Sequence, residues 1–120
     1  MDDQVGVVQY VTVDCADPGK LAGFWSGVLG VPVEGTSGAY VWLEPQRAGA
    51  ARLAFQPVPE PKAGKARLHL DLGVADLAAA RRRCEDLGAT VGAEIEENGS
   101  HWQVMADPEG NEFCLMLCCP

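Results

Sequence analysis

The chain repeats itself, and the repeat limits what it can fold into more than any single motif does. YVTVDCAD, Tyr10 to Asp17, lies over HLDLGVAD, His69 to Asp76: Tyr10 falls on His69 and Asp17 on Asp76, seven positions further on in both copies. Each copy alternates apolar and polar residues, the signature of a half-buried strand. Each then reaches an aspartate that suits a helix N-cap, with Pro18 at the first helical turn in the first copy. Leu21, Phe24, Trp25, Val28 and Leu29 follow at helical spacing, and the second helix closes at Gly88. The helix ends also match, LGVPV at 29–33 against LGATV at 87–91.

Three short strand candidates follow each helix. They are VPVEGT, AYVWLE and ARLAFQP in the first half, and TVGAEIEE, HWQVMA and NEFCLML in the second, punctuated by glycines such as Gly35, Gly38, Gly92 and Gly99. The organisation is therefore βαβββ over residues 1–57, a proline-bearing linker over 58–65, and βαβββ over 66–120. Each half is near the lower size limit for folding alone, so the two are expected to share one domain, 1–120.

If helices cover one side of the sheet, strand alternation sorts the side chains. Val11, Val13, Leu53, Phe55, Leu68, Leu70, Leu72, Phe113 and Leu115 are assigned to the helix side. Tyr10, Thr12, Asp14, Arg52, Ala54, Gln56, Arg67, His69, Asp71, Glu112, Cys114 and Met116 are assigned to the other. That second set gathers a His, carboxylates, two Arg, a Tyr and a thiol on one face. Trp25 is expected in the core, while Trp42 and Trp102 flank the polar face. Asp14 and the DPEG segment, Asp107 to Gly110, read as turn chemistry.

Composition excludes several partner classes. Nine Lys plus Arg against seventeen Asp plus Glu give a net charge of −8, which repels phosphate backbones and anionic headgroups, so no nucleic acid and no membrane is expected as partner. No apolar run approaches the ~20 residues that span a bilayer, and MDDQ lacks the features of a signal peptide, which points to a cytoplasmic protein. Five cysteines without a C-x-x-C pair imply no disulfide framework. Cys15 and Cys84 read as small buried hydrophobes, and the adjacent Cys118 and Cys119 are given no role. No G-x-S-x-G, phosphate loop or H-E-x-x-H occurs.

The stretches VDCADPGKLAGFWSGVLGVPV, RLHLDLGVADLAAARRRCEDLGATV and WQVMADPEGNEFCLM resemble the vicinal oxygen chelate superfamily of glyoxalases, bleomycin-resistance proteins and extradiol dioxygenases, in particular its small glyoxalase-like domain proteins. The resemblance implies an α+β fold in which two βαβββ modules form an open, cup-shaped mixed sheet with helices on the outer face. It implies that the cup holds the ligand. In catalytic members a divalent metal sits at the start of each module's first strand and near the end of its last, here Tyr10, His69, Ala54 and Cys114. Only His69 matches the usual ligand. Ala54 has no donor atom, Tyr10 is an uncommon ligand, and Cys114 stands where a glutamate is expected.

The function expected from this is binding of a small organic ligand without a standard metal site, in the manner of bleomycin-resistance proteins and with no cofactor. Ligand contacts are assigned to Tyr10, Gln56, Arg67, His69, Trp102, Glu112 and Cys114. The pair His69 and Asp71 is assigned any acid–base catalysis. The alternative is a metal-dependent lyase, isomerase or dioxygenase that uses His69 with nonstandard ligands and Zn, Ni, Mn or Fe. Sheet edges and the resemblance both suggest a homodimer.

Overall fold

Two aspartates start the two helices. Asp17 Oδ1 accepts the amide of Lys20 at 3.1 Å, and Asp76 Oδ1 accepts that of Ala79 at 2.9 Å, each satisfying a donor that the first helical turn leaves without a partner. In the computed structural model, which describes residues 4–118, these helices are α1 (Pro18–Leu29) and α2 (Leu77–Leu87). Gly30 and Gly88 end them in the left-handed conformation that glycine adopts without strain. The chain divides between Glu60 and Pro61 into two compact units.

In the first unit β1 (Tyr10–Cys15), β2 (Val33–Ser37), β3 (Tyr40–Leu43) and β4 (Arg52–Pro57) accompany α1. The sheet order is β1-β4-β3-β2, with β1 parallel to β4 and the other pairs antiparallel. Leu21, Phe24, Trp25, Leu43 and Phe55 form the buried core. The rings of Phe24 and Trp25 meet edge to face with centroids 5.4 Å apart, an arrangement that their quadrupoles favour.

The second unit repeats this plan with β5 (Asp71–Val74), α2, β6 (Thr90–Glu97), β7 (Ser100–Ala106) and β8 (Glu112–Leu117), in the order β5-β8-β7-β6. Met105, Phe113, Leu115 and Cys84 are buried. So is Gln103, which shares their side of β7. Its Nε2 lies 2.9 to 3.1 Å from the carbonyls of Gly92, Ala93 and Val104, where the β6–β7 register slips between Val91 and Glu94. A buried amide thus satisfies carbonyls that the bulge removes from the ladder. Asp107 serves the turn before β8: its Oδ1 accepts the amides of Glu109 and Asn111.

Two expectations need correction. The strand assigned from Arg67 begins only at Asp71, and Leu68, assigned to the helix side, is 86% exposed. The reason lies in β8, which starts at Glu112. There the amide of Ala66 bonds to the Glu112 carboxylate at 3.0 Å rather than to a backbone carbonyl, so the segment runs beside the sheet and first meets its ladder at Leu70, whose carbonyl accepts the Cys114 amide. In addition, Cys118 is disulfide-bonded, whereas Cys15, Cys84 and Cys114 are free thiols. Cys119 lies outside the described residues.

Burial separates two hydrophobic truncations. Phe55→Ala empties a fully buried site and should lower stability by roughly 3–5 kcal/mol. Leu68→Ala should change it by less than about 0.5 kcal/mol. Urea unfolding of both variants tests this; equal losses would return Leu68 to the core.

Candidate functional site

Each unit carries a concavity of about 410 Å³ on the sheet face opposite its helix. Strand register dictates the lining. In the second unit Asp71 pairs with Cys114, Val104 with Cys114, Trp102 with Met116, and Ile95 with Trp102, so all six side chains belong to one face. Ile95, Trp102, Val104 and Met116 form apolar walls, while Lys65, His69, Asp71, Glu112 and Cys114 supply polar groups.

The polar groups are mutually engaged. His69 Nε2 lies 3.2 Å from Asp71 Oδ1. One ligand atom from each of His69, Asp71 and Cys114 falls within 4.8 Å of the other two. Burial raises the Cys114 thiol pKa, and the charge of Asp71 and a hydrogen bond to its carboxylate add to this; Lys65 opposes it. At neutral pH Cys114 is therefore a protonated thiol and a poor nucleophile. Glu112 behaves oppositely. The amides of Ala66 and of Glu112 itself, followed by Lys62 with its ammonium 3.3 Å away, hold this carboxyl below the ordinary glutamate range.

The first unit's concavity is lined by Tyr10, Thr12, Tyr40, Trp42, Ala54 and Gln56, with parts of Val41 and Phe55. Trp42 lies against β2: a Cβ on Gly35 would come within 2.5 Å of the indole, so glycine is what admits the ring. Arg52 is committed elsewhere, to a two-pronged contact with Glu34 at 2.7 and 3.2 Å.

Of the residues assigned from sequence, His69, Asp71, Trp102, Glu112 and Cys114 line the second concavity, and Tyr10, Ala54 and Gln56 line the first. Arg67 is exposed and lines neither. Lys65, Ile95 and Val104 were not assigned. The cross-strand pairing of Ile95 and Val104 was available once the face of β8 was set, but Lys65 sits in a segment without periodicity.

The model of the Glyoxalase-like domain family matches residues 10–116. Among solved structures, a glyoxalase/bleomycin resistance protein/dioxygenase family enzyme from Burkholderia phytofirmans is similar with a TM-score of 0.78 at 19% identity, covering 92% of this chain and 98% of that one. A glyoxalase-related enzyme from Fulvimarina pelagi gives 0.74 at 15%, covering 95% and 89%. Fosfomycin resistance protein FosX from Mesorhizobium loti gives 0.72 at 14%, covering 97% and 94%. At such identities these three show a shared fold. No curated protein sequence matches the chain significantly.

The Glu112 tether has a measurable pH signature. A carboxyl whose folded pKa is depressed holds its partners above that pKa and releases them as pH falls through it. The Ala66 amide proton resonance should therefore shift with a midpoint below the ordinary glutamate pKa, and the shift should vanish in Glu112→Gln. A midpoint at or above the ordinary value would mean that the carboxylate does not hold this amide.

Proposed function

The chain belongs to the glyoxalase-like domain family of the vicinal oxygen chelate superfamily, and we propose that it binds a small organic molecule in the concavity of the second unit. One observation carries this reading: apolar walls from Ile95, Trp102, Val104 and Met116 converge with His69, Asp71 and Lys65 in a space of about 410 Å³, a combination suited to a ligand with an apolar body and a polar end. Trp102 supplies a flat wall, and Met116 a surface that adapts to the ligand's shape.

The four positions that hold metal in catalytic relatives do not fit that role here. Ala54 has no donor atom, Tyr10 offers only a phenol, and neither residue is tied to a carboxylate partner that would make it a better ligand. No step of the reading passes through such a site.

A second reading, acid–base catalysis of the lyase or isomerase kind, is supported by the 3.2 Å contact of His69 with Asp71. A carboxylate on one imidazole nitrogen orients the ring and leaves the other nitrogen to take or give a proton. A base of this kind would act on a proton made acidic by a neighbouring carbonyl. We also propose that the protein is a homodimer, since Val33 is exposed on the edge strand β2, and Val5, Val7 and Val8 are exposed ahead of β1.

The binding reading is tested by nitrogen-labelled NMR, with the Trp102 indole resonance assigned through Trp102→Phe. In a screen of small organic acids and amides, binders should shift this resonance, and their affinity should fall at least about tenfold in His69→Ala, whose spectrum otherwise stays folded. Binders that leave the Trp102 resonance unmoved, or that bind His69→Ala as well as the parent, would remove the site. Sedimentation should give twice the chain mass; a single species of monomer mass at micromolar concentration would refute the dimer.

A further inference from the structure

Most polar groups in the lining of the second concavity already have partners. Glu112 accepts the Ala66 amide at 3.0 Å on Oε1 and the Lys62 ammonium at 3.3 Å on Oε2. Asp71 lies 3.2 Å from His69 Nε2 and accepts a hydrogen bond from the Cys114 thiol. Lys65 differs. It lines the same concavity, and among the described residues no hydrogen bond or ion pair reaches its ammonium.

Its backbone is held at the rim. Ala66, next in the chain, is fixed through its amide on Glu112, and Lys62, just before it, is fixed through its ammonium on the same carboxylate. One side chain of β8 therefore anchors the segment on both sides of Lys65. The charge is felt inside the concavity: burial and then Asp71 oppose ionisation of Cys114, and Lys65 favours it. The first unit has no counterpart. Its recess is lined by Tyr10, Thr12, Trp42, Gln56 and apolar neighbours without a charged side chain, so the cation belongs to one concavity and not to the repeated fold.

We propose that the second concavity selects small monocarboxylates with a flat apolar body, and that Lys65 is the residue that sets this preference. The proposal rests on the small-molecule reading above and names the class of ligand. A carboxylate at the Lys65 end gains a charge-assisted contact, while its body lies against Trp102 and Ile95. An amine would have to compete for Asp71 and Glu112 with donors already on them. A dianion would bring its second charge against the same two carboxylates. A neutral amide of the same shape keeps the apolar contacts and lacks the charge.

The test titrates the full chain at neutral pH and low salt with phenylacetate, phenylacetamide and 2-phenylethylamine, each followed through the Trp102 indole resonance. Phenylacetate should bind at least about threefold tighter than the amide, and the amine weakest of the three. Lys65→Met should lower phenylacetate affinity to that of the amide and leave the amide unchanged. Lys65→Arg should keep the preference, and added salt should shrink it. Equal affinities for acid and amide on the parent protein, tighter binding of the amine, or a preference that survives Lys65→Met would each overturn the charge assignment while leaving the concavity as a binding site. A screen in which no compound moves Trp102 removes the site and this preference with it. If Lys65→Met fails to fold, the ranking of the three probes on the parent protein decides.

Discussion

The parallel ladder between the first and last strands of each unit is the constraint on which the rest depends. Parallel neighbours cannot be joined by a tight turn and need a long crossover. The helix and the two intervening strands supply that connection, and they then cover one face of the sheet and extend the other. Because the ladder joins the two ends of each unit, it sets residues far apart in sequence shoulder to shoulder. Asp71 meets Cys114 by this means alone.

Duplication of the ladder permits division of labour. In the first unit the shared positions carry Tyr10, Thr12 and Ala54, and the polar charges nearby are spent on the contact between Arg52 and Glu34. The result is an aromatic recess lined by no carboxylate, imidazole, ammonium or guanidinium group. In the second unit the same positions carry titratable groups. There the Asp71 carboxylate opposes ionisation of Cys114 while contacting His69, so one residue restrains the thiol and orients the imidazole. The physics that builds the two faces is common to both; the chemistry differs by three side chains.

Much of this was legible in the sequence because strand alternation and helix capping are local rules. Asp17 and Asp76 announced the helix starts, the glycine after each helix announced its end, and the alternation in β4 sorted buried from half-exposed side chains. β6 was marked at its observed bounds, Thr90–Glu97. What failed was non-local. The leucines at 68, 70 and 72 alternate as a strand should, but a strand needs a neighbour, and β8 begins too late to pair with the first of them. Gln103 likewise gave no sign of burial, since only the bulge opposite it creates the carbonyls that it satisfies. Lys65 lies in a segment whose path is set by a side-chain tether rather than by periodicity.

That tether has a statistical-mechanical consequence. Residues 66–69 lie outside the ladder, and they are anchored at one end by Glu112 on Ala66 and at the other by the Cys114 amide on the Leu70 carbonyl at 2.9 Å. Between these two knots hangs His69. Loosen the first, and the imidazole becomes the tip of a short free arm, its effective concentration at Cys114 diluted over the volume the arm can sweep. Glu112, which points its carboxylate at backbone and at Lys62, thus fixes one end of the segment that carries the imidazole.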